Sequence, residues 1–137
     1  MLDENTLTPR PNYWAALLWR KLMGSKVLNP GPSPTPELHL YAHCLRHQPG
    51  GVALLAVNTS RTVSLELMLP MPSDRYTLTA KDLLDTTVQL NGTTLQLDKD
   101  GTLPPIVGKP VPPGDVRFEP TSITFLTIPD AANSYCQ

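Results

Sequence analysis

Proline content is the feature that most constrains the fold of this chain. Sixteen of its 137 residues are proline, more than twice the usual share of about 5%. An interior proline costs a helix about 3 kcal/mol, because it lacks a backbone N–H and clashes with the preceding turn. The chain therefore cannot be mostly helical. Four prolines alternate within 29–36 and five lie within 104–113, so both segments are predicted to be irregular.

A single helix is predicted near the amino terminus, over 13–23. Asn12 precedes it as a candidate N-cap and Gly24 follows it, which are typical start and stop signals. Its side chains are apolar almost all round, with Arg20 and Lys21 as the strongly polar exceptions. A helix surface this apolar needs a large partner. We therefore expect this helix to be exposed, self-associating or disordered in the isolated chain.

The sequence after the first proline-rich segment has the period of two that is typical of strands. Apolar and polar residues alternate over 38–44, and 52–57 is a nearly continuous apolar run that indicates a central strand. Asn91-Gly92 between two such runs predicts a type I′ hairpin. Further strands are predicted over 63–69, 76–80, 88–90, 93–97 and 122–128. The sequence therefore predicts a mainly β fold, an antiparallel β-sandwich preceded by one N-terminal α-helix.

The charge balance excludes two classes of binding protein. Eleven basic and 12 acidic residues give a net charge of -1, which argues against a nucleic-acid binder held by bulk charge and against a polybasic membrane patch. No run of 18 apolar residues indicates a transmembrane segment. The first residues also lack the apolar stretch of a signal peptide. The chain is therefore expected to be cytosolic, or to be the end of a longer chain with its signal upstream.

Cys44 and Cys136 are the two cysteines of the sequence, and neither lies in a CxxC motif. Their spacing is not that of metal ligands. One disulfide would suit an oxidising compartment. The alternative is two unpaired thiols in the core.

No residue pattern predicts a catalytic, metal or cofactor site. His39, Tyr41 and His43 would share one face of a strand, but the two histidines lie about 13 Å apart at 3.3 Å per residue, too far to share a metal. Glycoside hydrolysis needs two carboxylates about 5–9 Å apart, whereas most acidic residues here lie at turns. The sequence also contains no nucleophile elbow and no glycine-rich phosphate loop.

Two triplets match the acceptor pattern for N-glycosylation. They are Asn58-Thr59-Ser60 and Asn91-Gly92-Thr93. Asn58 and Asn91 are therefore candidate glycosylation sites if the protein is secreted by a eukaryote. Asn91 also has a structural explanation as a turn residue.

The residues leave room for a stand-alone module as well as for part of an enzyme. A glycan-binding module of the platform type needs several exposed rings, and few aromatic residues lie on the predicted strands. Binding to acidic glycans needs a basic cluster, yet Lys and Arg are scattered, with Arg46 and His47 as the one dense spot. A structural β domain used for protein contacts is a further alternative.

Seven short blocks along the chain carry a resemblance to a known family. They are Asp3-Glu4-Asn5, Pro11-Asn12-Tyr13-Trp14, Leu17 to Leu28, Tyr41-Ala42-His43-Cys44, Val88 to Gly92, Leu103-Pro104-Pro105-Ile106 and Tyr135-Cys136-Gln137. In this order they resemble the C-terminal region of heparanase-like enzymes of glycoside hydrolase family 79, the endo-β-glucuronidases and their relatives. The resemblance covers nearly the whole chain.

This resemblance implies an architecture. Family members have a (β/α)8 barrel followed by a C-terminal β-sandwich, and both catalytic glutamates lie in the barrel, so no residue here, Glu4 and Glu37 included, is expected to be catalytic. It implies that 1–28 are the last barrel helix and its return segment, 29–36 a proline-rich loop and 37–137 the β-sandwich. The chain would then be a C-terminal piece of a longer protein. The resemblance also implies that Cys44 pairs with Cys136.

The same resemblance implies a function and partners. The chain would be the non-catalytic part of a retaining β-glucuronidase that hydrolyses glucuronide linkages in glycans. Its partners would be the catalytic barrel and, through it, a glycan that contains glucuronic acid; no cofactor and no nucleic acid are expected. The compartment would be extracellular or lysosome- or vacuole-like, with the signal upstream.

Overall fold

The computed structural model describes residues 11–33, 35–79, 88–95 and 106–137. One α-helix, α1 (Pro11–Leu22), opens this part of the chain, and a short 3₁₀ turn at Ser134–Cys136 closes it. The strands are β1 (Met23–Leu28), β2 (Leu38–Leu45), β3 (Val52–Asn58), β4 (Leu65–Leu69), β5 (Ser73–Thr79), β6 (Val88–Leu90), β7 (Thr93–Leu95), β8 (Lys109–Val111), β9 (Gly114–Phe118) and β10 (Ser122–Ile128). The predicted strand ends at Ala80 and Leu97, the prolines at 104 and 105, and Glu4 lie outside the described residues.

Two antiparallel sheets form the β part of the fold. The main sheet has the strand order β1-β2-β3-β10-β5-β6-β7, with β8 also paired to β5. The second sheet is a two-stranded ribbon of β4 and β9, which we call the ribbon. The chain is therefore an antiparallel β-sandwich with a helix before it, as the sequence predicts. Within the described residues, no helix has the length and apolar character needed to cross a bilayer.

The main sheet has apolar side chains on both faces, and each face packs against a different element. On the helix side, Trp14 and Leu18 of α1 pack with Leu55 and Phe125. On the ribbon side, Phe118 belongs to a second buried cluster that also contains main-sheet side chains. The described residues thus form three layers, which are the helix, the main sheet and the ribbon.

Strand β3 confirms the prediction of a central strand. It pairs with β2 on one side and with β10 on the other. Its successive residues Leu54 and Leu55 are both buried, one in each cluster. A continuous apolar run is the pattern expected of a strand that is covered on both faces.

The hairpin prediction is confirmed in its detail. Asn91 and Gly92 connect β6 to β7 with φ values of 50° and 88°. Positive φ at both central residues defines a type I′ turn, whose twist matches that of the flanking strands.

The helix prediction is wrong in one important respect. Helix α1 has a partner within the chain, because its own side chains Trp14 and Leu18 are each 1% exposed. Trp19 is 37% exposed, so the outer side does face solvent in the chain alone. The helix also begins at Pro11, so Asn12 lies within it rather than before it. Proline is well suited to the first helical position, because the N–H that it lacks has no partner there.

The proline-rich segment 104–113 is not irregular throughout, as was predicted. Residues 109–111 form β8, which pairs with β5, and β9 follows directly. Pro110 is compatible with β8 because, among the described strands, β8 pairs with β5 alone, so that a missing N–H can face away from the sheet.

Candidate functional site

The disulfide prediction is confirmed by the structure. Cys44 on β2 is bonded to Cys136, with their Cα atoms 5.4 Å apart. This separation lies within the usual range for a disulfide. The bond fixes the carboxyl-terminal turn to the main sheet.

The three aromatic residues of β2 lie on the helix side of the main sheet, next to α1. Their register places Tyr41 opposite Leu55 and His43 opposite Ala53, both of which pack under the helix. His43 Nδ1–H donates to the Gly24 carbonyl at 2.7 Å, and its ring meets that of Trp19 edge-on at 5.0 Å. Among the described residues, no group of three or more His, Cys, Asp or Glu side chains could hold a metal ion.

An exposed apolar patch continues this face beyond the helix. It consists of Trp19, Val27 and Tyr41, and we call it the aromatic strip. Val27 lies opposite His43 in the register of β1 and β2, so it shares the helix side. Val27 is 74% exposed and Tyr41 is 49% exposed. Apolar side chains grouped in this way on a small domain mark a contact surface for another protein.

Asn58 is buried at the end of β3, with 1% of its surface exposed. Its Nδ2 donates to the carbonyls of Val63, Phe118 and Glu119 at 3.0, 3.1 and 3.0 Å, and its Oδ1 accepts from the Ser60 N–H at 2.9 Å. The amide thus connects the main sheet to both strands of the ribbon, at the end where Leu65 pairs with Phe118. This buried, hydrogen-bonded position disfavours a glycan at Asn58 in the folded chain.

Asn91, the other candidate glycosylation site, lies at the hairpin turn. Its Nδ2 donates to the Arg75 carbonyl at 2.8 Å, and its Oδ1 accepts from the Thr77 N–H at 2.9 Å. The side chain is half-buried. Glycosylation at Asn91 stays a prediction.

We expect Asn58→Ala to lower the free energy of unfolding by about 2 kcal/mol. The reason is that the change leaves buried carbonyl groups without a hydrogen-bond donor. Asn29→Ala is the matched control, because the exposed Asn29 side chain accepts only a local bond from the Gly31 N–H and should change stability by less than about 0.5 kcal/mol. Urea denaturation of both variants measures the difference. Equal, small effects would contradict the connecting role of Asn58.

A polar groove lies on the ribbon side of the main sheet. Its volume is about 840 Å³. We call it the polar groove, and its lining residues are Ser64, Arg75, Thr77, Thr79, Gln89, Asn91, Gly92, Lys109, Pro110, Val111, Pro112, Arg117 and Glu119. The groove exists because the two-stranded ribbon covers only part of the main sheet. On this side of the main sheet, strands β5 and β6 present polar side chains to the groove.

Arg75 is held in this groove by two side-chain contacts. Its Nε donates to Thr77 Oγ1 at 2.6 Å, and its guanidinium lies over the Phe118 ring, 5.9 Å from the centroid. Thr77 Oγ1 is in turn hydrogen-bonded to Thr124 Oγ1 at 3.0 Å. Burial lowers the pKa of Arg75, and the negative charge of Glu119 partly opposes this effect.

Sequence analysis missed this group of cations. Among the described residues, the lining contains three basic residues, Arg75, Lys109 and Arg117, and one acidic residue, Glu119. They look scattered along the sequence because they come from three different strands. The alternating polar residues Ser73, Arg75, Thr77 and Thr79 on β5 were the available signal, since they indicate a polar face on a strand.

Comparison with known proteins shows similarity over nearly the whole chain. Baicalin-beta-D-glucuronidase of Scutellaria baicalensis is 34% identical over 140 residues, which is 94% of this chain and 26% of that protein. Heparanase of Mus musculus is 35% identical over 152 residues, or 99% of this chain and 28% of that protein. Inactive heparanase-2 of Homo sapiens is 28% identical over 161 residues, or 100% of this chain and 27% of that protein.

Two further comparisons give less. No protein-family model matches the chain. A crystal structure of a GH30 endoxylanase from Clostridium papyrosolvens C71 covers 75% of this chain and 23% of its own, with 13% identity and a TM-score of 0.41, a likeness too slight to carry an argument.

The sequence relatives agree with one another in kind. The chain spans about a quarter of the length of the relatives described here. The relatives include heparanases and a β-glucuronidase. The resemblance to heparanase-like proteins that the sequence indicates is therefore confirmed, over nearly all of this chain's own length.

Proposed function

We propose that this chain is the non-catalytic C-terminal β-sandwich of a heparanase-like β-glucuronidase that hydrolyses glucuronide linkages in glycans, and that it supports a catalytic (β/α)8 barrel. In this proposal, 1–28 contribute the last barrel helix and its return segment, 29–36 a proline-rich loop and 37–137 the sandwich. The return segment includes β1, which is paired to β2 in the main sheet. Helix and sandwich would thus be joined through a shared sheet.

The aromatic strip is the observation that carries this proposal. It lies beside α1, where a barrel that shares this helix would have to pack. Trp19, Val27 and Tyr41 present apolar surface that the described residues leave exposed. Burial of such surface stabilises an interface by about 25 cal/mol per Å².

Two features of the relatives and of the chain agree with a supporting role. The match to the human relative named inactive heparanase-2 covers 100% of this chain. Similarity in this region therefore does not depend on catalysis. The Cys44–Cys136 disulfide suits an oxidising compartment. We therefore propose an extracellular or a lysosome- or vacuole-like compartment for the protein.

The chain alone is expected to show no hydrolysis of aryl glucuronides. Retaining hydrolysis needs an acid/base and a nucleophile, a pair of carboxylates held about 5–5.5 Å apart, and this proposal assigns both to the barrel. Turnover that survives purification and is lost when one Asp or Glu of this chain is replaced would contradict the proposal.

A chimera tests the supporting role directly. In Baicalin-beta-D-glucuronidase, the region matched by this chain is replaced by the chain itself, and hydrolysis of baicalin is measured. We expect the chimera to retain activity. Replacing Trp19 and Tyr41 together with serine should lower that activity at least tenfold, because the interface loses its apolar contacts.

Met68→Ser is the matched control for the chimera. Met68 is 61% exposed and lies on the ribbon, away from the aromatic strip. Its replacement should leave the activity of the chimera unchanged. Equal losses from both variants, or an inactive but folded chimera, would refute the supporting role.

A further inference from the structure

The structure points to a ligand site in the polar groove: we propose that it binds a carboxylate-bearing sugar residue of an oligosaccharide. The choice of a glycan rests on the proposed function, whereas the preference for an anion rests on the groove itself. The proposal corrects the expectation from sequence that no basic cluster is present.

Two positively charged residues occupy directly opposite positions on neighbouring strands of the groove. Arg75 on β5 and Lys109 on β8 are directly opposite in the antiparallel register, and both line the groove. Like charges directly opposite one another destabilise a sheet. Arg117 adds a third positive charge, and Glu119 is the acidic residue of the described lining. An anionic ligand would relieve this repulsion.

Arg75 is already held in position for such a ligand. Thr77 Oγ1 accepts from its Nε, and the guanidinium carbon lies over the Phe118 ring, 5.9 Å from its centroid. Within the described part of the chain, these contacts use Nε and leave the terminal nitrogens for a carboxylate. An arginine that is ordered before binding loses less side-chain entropy when the ligand arrives. Its partial burial also strengthens the attraction between the charges.

The rest of the lining favours a sugar over a small inorganic anion. Ser64, Thr79 and Gln89 supply hydroxyl and amide groups that can both donate and accept hydrogen bonds. Sugar hydroxyls need both kinds of partner, whereas phosphate in its anionic form mainly needs donors. The cavity of about 840 Å³ also falls in the size range of sites for drug-sized ligands rather than for single ions.

Titration of the chain with three probes tests the site. The first is a tetrasaccharide of alternating glucuronate and N-acetylglucosamine, the second is the neutral tetrasaccharide of N-acetylglucosamine, and the third is inorganic phosphate. Amide chemical shifts report binding and its location. We expect the acidic tetrasaccharide to bind at least tenfold more tightly than the neutral one, to perturb β5 and β8, and to bind more weakly as salt is raised.

Substitutions at the exposed cations identify the residues responsible. Lys109→Gln and Arg117→Gln should each weaken binding about threefold, and the double variant about tenfold. Arg61→Gln is the matched control, because Arg61 is exposed and lies outside the groove. The melting temperature of each variant verifies that the fold is intact, so that a loss of binding is not a loss of structure.

Each remaining result would overturn the proposal in a specific way. Equal binding of the neutral sugar would exclude carboxylate recognition, and displacement by equimolar phosphate would indicate a general anion site. An equal loss in Arg61→Gln would indicate non-specific attraction, and no binding at all would exclude the site.

The groove and the supporting role can fail separately. Lys109→Gln with Arg117→Gln should leave the chimera folded and assembled, because the groove lies on the ribbon side of the main sheet. Conversely, serine at positions 19 and 41 should leave tetrasaccharide binding unchanged. A groove that fails while the chimera works would refute this inference alone.

Discussion

Replacing Cys44 and Cys136 together with alanine is expected to lower the free energy of unfolding by about 4 kcal/mol. The disulfide joins residues that are 92 positions apart, and the chain-entropy model assigns a little under 4.7 kcal/mol to a loop of roughly this length. This is a large part of the stability of a small domain, which is about 5–15 kcal/mol.

Local contacts around the bond show what else it holds. The Gly50 N–H donates to the Cys136 carbonyl at 2.7 Å, and the Asn133 N–H donates to the Gly50 carbonyl at 2.9 Å. Lys26 Nζ donates to the Tyr135 carbonyl at 3.0 Å. Without the disulfide these few bonds must order the carboxyl terminus unaided, and chain ends fray when little holds them. The variant should therefore also lose protection from amide exchange around 133–137.

Equilibrium urea denaturation measures the effect of the disulfide. The oxidised chain, the reduced chain and the alanine double variant are compared at one pH. Reduction and double substitution should give similar losses, and a reducing agent should have no effect on the double variant. A loss below about 1 kcal/mol in both cases would show that the bond contributes little to stability.

Features of the fold that depend on neighbouring residues could be predicted from the sequence. Asn91-Gly92 specifies its turn because both positions must adopt positive φ. The apolar run over 52–57 identifies β3, because few other elements place apolar side chains on both faces.

Features that depend on distant pairing could not be predicted. The polar groove forms where Lys109 pairs opposite Arg75 and where Arg117 on the ribbon lines the same cavity. No local sequence pattern specifies the register of β5 with β8 or the width of the ribbon. The pairing of Cys44 with Cys136 came from the family resemblance, while the residues themselves left free thiols as an alternative.

Helix α1 shows how a correct observation led to a wrong conclusion. Its wide apolar surface does need a partner, but we predicted that this partner lies outside the chain. Yet a main sheet whose central strand is apolar on both faces needs two covers, and the ribbon provides only one. Of the elements that the structure describes, the helix is the one that covers the second face. The apolar run over 52–57 thus already indicated that α1 packs on the main sheet.

Trp14→Ala should cost about 3–5 kcal/mol of unfolding free energy, because it removes a large side chain from the contact between α1 and the main sheet. Trp14 is 1% exposed and belongs to the same cluster as Leu55 and Phe125. Trp19→Ala, on the outer side of the same helix, removes a side chain that is 37% exposed. It loses chiefly its edge contact with His43, so its cost should be about 1 kcal/mol.

The two tryptophan variants form a matched pair, because each removes a tryptophan from α1. They differ in the direction of that side chain, which faces the main sheet at Trp14 and the outer side of the helix at Trp19. Urea denaturation gives both free energies, and the fluorescence of each single-tryptophan variant reports the environment of the remaining ring. Trp14 should emit at shorter wavelength than Trp19, because its ring is shielded from water. If both variants lost the same small amount of stability and both rings emitted as exposed, α1 would not dock on the main sheet in solution. The helix would then need its partner from another chain or domain, as its apolar surface alone suggests.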